Sequence, residues 1–581
     1  MHELNIYFDL NKFKINYKRI LINLFISFII SIIIFIPFLN NSIILSHDTS
    51  FHLSRIDGII TALADKQFPI KIYPYKNYGF SYASPLFYSD IFLIPFSLIH
   101  HLGLSLVDSY RLLLFIFIIV MSFNFLYVSQ EIIKNNKYAI IATILYSFSQ
   151  YHLLNIFVRG ALGEIMGMTF MPLIILACYR LFYEKKYNIY LLSFSMTAIL
   201  LCHNISFLLS VLLLILLCLC NLNLILKDKK IIISIIISGL ISLALSSFFL
   251  FPMIEQMLSQ ELSYKLYLRY EASKLSFIDL FVEYYFSNNF NHNLDHYGIG
   301  LTSMILLFVS LLTNIKNKKD DLKSWMFKLL IISLILIIMT TDYLANHLLF
   351  IYNIIQFPWR LNIISSLLIP MASIYLLLDK RIIKNICLII VLSLTMINTI
   401  SFDSEMLFGN NKIWIPSNLN KKDLFEENNY FNLDAFLFNV AEISNREYLP
   451  NAYNYDYRNA PKAITYNNGD YTSYLFDRKG LDFIIYTDSK YIETINLPLT
   501  YYKGYYAEEI DINHKHIKEI EVNEHEYYKL VSIDIEEGKH IYHVYYKGTI
   551  IQKITFIISL LTFIIILLNI IRRRRDIIMN K

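Results

Sequence analysis

The sequence predicts a polytopic α-helical membrane protein with roughly twelve spans and a β-rich, sandwich-like domain near its C-terminus. Three observations predict it. Of 581 residues, 56% are hydrophobic and 17% charged, and the mean hydropathy is +0.47, too apolar for a soluble globule. Lys and Arg fall in short clusters between apolar runs, so the net charge of +5 reports topology, not affinity for nucleic acid. Before the final apolar run the pattern changes to short alternating segments rich in Tyr and Asn.

Residues 20–45 contain no Asp, Glu, Lys or Arg and form the first span. This run is too long for a signal peptide and lacks a small-residue cleavage site, so it is expected to remain as an anchor. Lys12, Lys14, Lys18 and Arg19 put residues 1–19 in the cytoplasm, and residues 46–111 then form a large first external loop. Within that loop, residues 84–99 are apolar but short and carry Asp90 and Pro95. They predict an interfacial or re-entrant segment and not a span.

Further spans follow at 112–130, 138–153, 165–179, 187–202, 204–226, 231–254, 298–315, 325–341, 357–378 and 386–400. With this count Lys134 and Lys137, Arg180 with Lys185 and Lys186, Lys227 with Lys229 and Lys230, Lys316 with Lys318, Lys319 and Lys323, and Lys380 with Arg381 and Lys384 all face the cytoplasm. Taking 84–99 as a span would invert them and put the four closing arginines, 572–575, outside. The membrane domain is therefore 20–401, the extracytoplasmic β-rich domain 402–549, and the final helix with its basic cytoplasmic tail 550–581. In the β-rich part, LVSIDI, a turn at EEGKH and IYHVYY predict a hairpin, while FIIYT and LPLTYYKGYY predict further strands. All five cysteines, Cys178, Cys202, Cys218, Cys220 and Cys387, lie in apolar runs, which argues against a disulfide framework and makes Cys218 and Cys220 apolar filler before metal ligands.

Polar residues gather on the external side. As the chain leaves its first span it presents His47, Asp48, His52, Arg55 and Asp57; if the segment is helical, Asp48, His52 and Arg55 share a face. Arg159 and Glu164 lie in VRGALGE, His203 and Asn204 between two spans, and Arg360 in QFPWR. Ionisable groups at a membrane boundary mark a site or a pairing partner. Each also has a plain structural reading. Asp48 can be an N-cap, Glu164 can serve the helix dipole with Arg159 as its partner, Arg360 can snorkel, and Asn204 can turn the chain. The histidines can be ordinary interfacial hydrogen-bonding groups. Asp48 and His52 are spaced for a metal, yet two ligands do not specify one; no cofactor is assigned, and a divalent cation stays open.

No P-loop, dinucleotide-binding glycine pattern, G-x-S-x-G elbow or HExxH is present, nor a cytoplasmic domain able to hold a nucleotide-sugar fold. An outward-facing enzyme would draw its activated group from a lipid carrier. The segments HDTSFHLSRIDGIITALADKQFP with IYPY and YGF, PLFYSDIFLIP, VRGALGE, HN, QFPWR, EYLP, LPLTYYKGYYA and GKHIYHVYYKG span most of the chain. In their order the chain resembles the GT-C superfamily of integral-membrane glycosyltransferases, most closely the bacterial membrane family labelled 6-pyruvoyl-tetrahydropterin-synthase-related, and it is similar to YfhO-type proteins. The soluble synthase's metal-binding histidines have no counterpart here.

The resemblance implies a polyprenyl-phosphate-linked sugar donor in the membrane and a glycan or envelope-polymer acceptor. It implies that Asp48 takes the acceptor hydroxyl's proton and that Arg159, His203 or Arg360 binds the departing phosphate. Many members of the superfamily carry two adjacent acids in this loop, whereas here the pair is His47 and Asp48, so the base rests on one carboxylate. His47, His52, Arg55, Asp57, Glu164 and Asn204 complete the expected substrate-binding set. Two rival readings are a transporter or flippase for a lipid-linked glycan and a non-catalytic envelope assembly protein. Charges at the outer edge instead of the midplane favour the transferase.

Overall fold

The computed structural model describes residues 16–39, 42–44, 46–263, 275–283, 297–314, 321–345, 347, 352, 354–408, 414–416, 447–451, 457, 460 and 462–579. Lys12, Lys14, Lys316, Lys318, Lys319 and most of 402–446 lie outside the described residues, as do the side chains of 573–575.

The molecule is a helical membrane bundle with a β-sandwich seated on one end. Among the described residues, eight helices are long and apolar enough to cross a membrane: Tyr17–Leu39, Leu106–Ile133, Leu162–Phe182, Lys229–Ser259, Asp321–Met339, Pro358–Leu377, Arg381–Ser404 and Ile550–Arg572. The pair Asn136–Ser147 and Gln150–Arg159, bent by 43°, makes a ninth if taken as one span. The other three expected spans are shorter apolar helices, Tyr190–Cys202, Asn204–Cys220 and Leu301–Asn314. Residues 84–99 hold only two short helices, Ser84–Phe87 and Ile94–His100, broken around Asp90. The helix from Arg381 runs on to Phe408, beyond the expected end at 400.

Prolines 172, 252 and 370 sit inside helices, and the Met168 carbonyl that Pro172 leaves without its helical donor accepts from Tyr146 OH of a neighbouring helix at 3.1 Å. Serines knit the helices together. Ser247 Oγ and Ser559 Oγ meet at 2.8 Å where the last helix packs on Lys229–Ser259. At the bundle end away from the sandwich, Arg19 pairs with Glu131 at 2.7 Å, Lys134 lies 3.7 Å from Glu184, and Lys384 covers the Tyr138 ring at 4.5 Å. Arg19, Lys134 and Lys384, from three of the basic clusters, thus share that end.

The sandwich consists of an antiparallel four-stranded sheet, β3-β6-β10-β9, and a five-stranded sheet, β4-β5-β11-β7-β8. Its strands are β3 (Thr465–Tyr466), β4 (Leu475–Lys479), β5 (Asp482–Ser489), β6 (Glu493–Thr500), β7 (Tyr505–Ile510), β8 (His516–Ile520), β9 (Val522–Glu524), β10 (Leu530–Ile535) and β11 (Gly538–Tyr546). A two-stranded ribbon, β1 (Ser42–Ile44) with β2 (Trp414–Pro416), lies elsewhere. FIIYT lies in β5 and LPLTYYKGYY spans β6 to β7, as expected. The hairpin expectation fails. LVSIDI and IYHVYY are β10 and β11, but they belong to opposite sheets, and the short link between them crosses the sandwich. Alternation places Val531, Ile533 and Ile535 of one sheet against Tyr542 and Val544 of the other in a shared core.

That core extends into the first loop, whose Ile72, Ala83, Leu86 and Phe87 belong to it. Hydrogen bonds to the loop backbone fix the junction: Thr500 N–H donates to the Phe80 carbonyl at 2.5 Å and Arg478 Nη2 to the Pro74 carbonyl at 2.7 Å. Gln256, at the end of a membrane helix, exchanges two bonds with the Lys503 backbone, at 2.7 and 3.1 Å.

Candidate functional site

The first span ends in the ribbon strand β1, and the next turn folds back onto residues 158–160. His47 N–H bonds the Val158 carbonyl at 3.2 Å and Asp48 N–H the Arg159 carbonyl at 2.8 Å. Gly160 makes this approach attainable. It sits at φ +60°, and a Cβ there would stand 2.1 Å from Ser46 Oγ and 2.5 Å from Thr49 Oγ1. Asp48 is the N-cap residue of the helix Thr49–Ala64, yet its side chain makes no capping bond. The carboxylate is left for its neighbours across the turn.

Those neighbours form a buried ion cluster. Arg159 grips Glu164 with two bonds, Nη1 to Oε2 at 2.7 Å and Nη2 to Oε1 at 2.9 Å, and also donates to Asn155 Oδ1. Arg360, from the turn Pro358–Leu361, donates Nε to Glu164 Oε1 at 2.7 Å and Nη1 to the Ile355 carbonyl and Gln356 at 3.1 and 2.5 Å. Trp359 lies under Arg159 at 4.3 Å and stacks between Tyr297 and Phe357. Arg360 is therefore buried and paired, not snorkelling to a headgroup layer. Two guanidiniums against one carboxylate leave a net positive charge beside Asp48. Burial raises the Asp48 carboxyl above its ordinary range, and Arg159 and then Arg360 pull it back.

Arg55 and His52, expected on one face with Asp48, belong to a second cluster. Arg55 is buried and bonds Asp90 Oδ1 through Nε at 3.1 Å and Nη2 at 2.8 Å, and the Ser89 carbonyl at 2.8 Å. Tyr88 covers its guanidinium at 3.8 Å, and Tyr73 OH donates to Asp90 Oδ2. Burial works against the Arg55 cation, and Asp90 more than offsets it. Burial and then Arg55 push His52 well below its ordinary value, so its ring is neutral. Asp57 pairs with Lys76 at 2.6 Å and serves the loop's own architecture.

His203 caps the helix Asn204–Cys220, its Nδ1 accepting from Ser206 N–H at 3.2 Å, which puts the ring proton on Nε2. Asn204 donates to the Phe87 carbonyl at 2.9 Å and so ties this break to the first loop. Tyr88 and His203 meet above Gly163, where a Cβ would stand 1.5 Å from Tyr88 Oη and 3.2 Å from His203 Cδ2. Tyr88 thus links the two clusters. Asp48, Arg159, Glu164, His203 and Arg360 come together from four separate stretches of chain, while Asp57, Asn204, His52 and Arg55 play supporting parts. His47 is exposed beside them.

Sequence reasoning passed over Tyr88, Asp90 and Glu447. Asp90 offered a signal as a lone acid in an apolar segment. Glu447 stood in EYLP; burial and then the Asp48 charge push its carboxyl up, while Arg360 pulls it down, so it belongs to the same electrostatic neighbourhood. Among the described residues, the one set of three side chains spaced for a metal is Glu509, Glu536 and His540 on the sandwich, which Lys518 already bridges.

Residues 86–407, more than half of the chain and including every member of this cluster except Asp48 and Glu447, match the profile of the 6-pyruvoyl-tetrahydropterin synthase related domain, a membrane protein family. The chain belongs to that family. Among solved structures it is similar to the arabinofuranosyltransferase AftD from Mycobacteria, at 13% identity and a TM-score of 0.40, covering 69% of this chain and 27% of that one. It is also similar to the apo oligosaccharyltransferase of Archaeoglobus fulgidus, at 11% identity and a TM-score of 0.39, covering 75% of this chain and 62% of the other. The chain spans less than two thirds of either protein. A search of curated proteins finds no match.

Proposed function

We propose that this membrane protein is a GT-C type glycosyltransferase that moves a sugar from a polyprenyl-phosphate carrier to a cell-envelope acceptor on the extracytoplasmic face. The observation that carries the reading is the half-buried Asp48 carboxylate beside the net-positive Arg159–Glu164–Arg360 cluster. Asp48 accepts the acceptor hydroxyl's proton as its oxygen bonds the anomeric carbon. The bond from that carbon to the carrier phosphate breaks, and the phosphate leaves with the electron pair. Arg360 directs Nε and Nη1 at protein acceptors, which leaves its Nη2 protons, among the described residues, for the departing anion.

A groove of about 770 Å³ supports a lipid-borne donor. Phe92, Phe170, Phe194, Leu201, Phe248 and Phe563 help to line it, and it runs between membrane helices. Leu201 stands two residues from His203, and Phe92 two from Asp90. Such a wall suits a hydrocarbon chain. The gathering of Lys and Arg at the opposite bundle end supports an extracytoplasmic site and cytoplasmic termini. A reporter fused after His101 should read extracytoplasmic, and a cytoplasmic reading would refute the orientation.

The decisive experiment is Asp48→Asn in the full chain. Transfer from a polyprenyl-phosphate sugar should fall by about a hundred- to ten-thousand-fold while insertion and abundance stay unchanged. Undiminished transfer would overturn the proposal.

A further inference from the structure

The outer face of the five-stranded sheet carries a second concavity, of about 470 Å³, which the Asp48 chemistry does not use. It lies within the size range of small-molecule sites. Its lining includes Tyr474, Leu475, Tyr486, Asp488, Ile512 and Lys539. Strand register builds it: Tyr486 of β5 stands between Leu475 of β4 and Ile541 of β11, and the next outward residue along β5, Asp488, stands opposite Lys539. Leu475 and Ile512 are 75% and 85% exposed and Tyr486 is 40% exposed, so an apolar strip lies open on this face.

Two features narrow the ligand. The Tyr486 hydroxyl donates to Asp477 Oδ2 at 3.3 Å on the neighbouring strand, which leans the ring along the sheet as a flat apolar platform. Asp488 and Lys539 lie 3.9 Å apart with side chains 71% and 83% exposed, a loose pair that leaves carboxylate oxygens and ammonium protons available at the platform's edge. Opposite charges side by side select neither an anion nor a cation. A purely apolar ligand would cover both charges and satisfy neither. An extended peptide would instead use the open backbone of β4, the edge strand of this sheet. A pyranose matches what is present, with one face of C–H bonds for the tyrosine ring and a rim of hydroxyls for the carboxylate and the ammonium.

The geometry points to a binding site for a neutral oligosaccharide on the β4–β5–β11 face, which holds an acceptor glycan apart from the reaction centre. The acceptor role rests on the transferase reading; the binding does not. The test uses the full chain in lipid nanodiscs with maltotriose, cellotriose and chitotriose as probes, followed by saturation-transfer NMR and calorimetry. At least one probe should bind, Tyr486→Ala and Asp488→Ala should each weaken it tenfold or more, and Tyr486→Phe should retain it. Asp48→Asn should bind the same probe as tightly as the unaltered chain. No binding across the three probes, or binding indifferent to both alanine substitutions, would overturn the site. So would an affinity found only for extended peptides. Transfer that survives Asp48→Asn would instead refute the transferase reading and leave the sugar site standing.

Discussion

Gly160 governs where Asp48 can stand. Its left-handed backbone and missing side chain let Ser46 and Thr49 close on it, and that closure brings the Asp48 amide onto the Arg159 carbonyl. Gly160→Ala must push the turn away, and a displacement of about 1 Å at a reacting group can cost roughly a hundredfold in rate. Transfer assays on Gly160→Ala should show a loss of about that size with abundance kept, and an unimpaired variant would refute the positioning. The carboxyl's own titration gives a second prediction. A base works only when deprotonated, and burial raises the Asp48 value, so transfer should fall off on the acid side at a pH above the ordinary carboxylate range near about 3.9. Arg360 lowers that value, so Arg360→Gln should move the acid limb to higher pH in a rate–pH profile from proteoliposomes. A limb that stays put or moves down would mean that another group sets it. Asp48 was legible in the sequence because a lone acid at the end of an uncharged span is conspicuous. Tyr88 was not, because nothing in a tyrosine's neighbours says that its hydroxyl will reach Gly163 from a distant stretch of chain.

Pairing between distant elements is the link that periodicity leaves open. Alternation identified β10 and β11, but a two-residue spacing is compatible with a hairpin or with a crossing between sheets; the buried faces of Val531, Ile533 and Val544 settle it by packing against one another. For span direction, Lys and Arg clusters supply an expectation that the reporter fusion after His101 tests. The partner of Glu164 was only half readable: Arg159, five residues away, is local, whereas Arg360 is separated by 196 positions. The Arg360 bond holds the helix Leu162–Phe182 against the turn Pro358–Leu361 inside the bundle. Glu164→Gln leaves both guanidiniums buried with no anion between them, and breaking a buried pair in this way costs about 3–5 kcal/mol. Thermal-shift measurements on the purified chain should show a clear fall in stability, larger than for Lys323→Gln, which removes an exposed pair with Asp379. Equal effects would show that the buried cluster does not clamp the two helices together.

At the scale of the whole molecule, the β-sandwich and the first loop are one folding unit, although more than three hundred residues separate them in sequence. Ile72, Ala83, Leu86 and Phe87 complete the sandwich core, Thr500 pairs with the Phe80 and Ser81 backbone, and Tyr502 OH donates to the Tyr448 carbonyl, on the residue after Glu447. The sandwich therefore holds the loop that carries Asp48 at one end and Asp90 at the other. Replacing 462–546 by a short Gly/Ser linker removes most of that core without touching any membrane helix. The spans should still insert, since their burial is in lipid and in one another. The loop around Lys71 and Lys76 should then become open to trypsin, and transfer should be lost with Asp48 still present. A loop that stays protected in the truncated chain would mean that the bundle alone orders the site, and the sandwich would then be an appended module and not part of the reaction's scaffold.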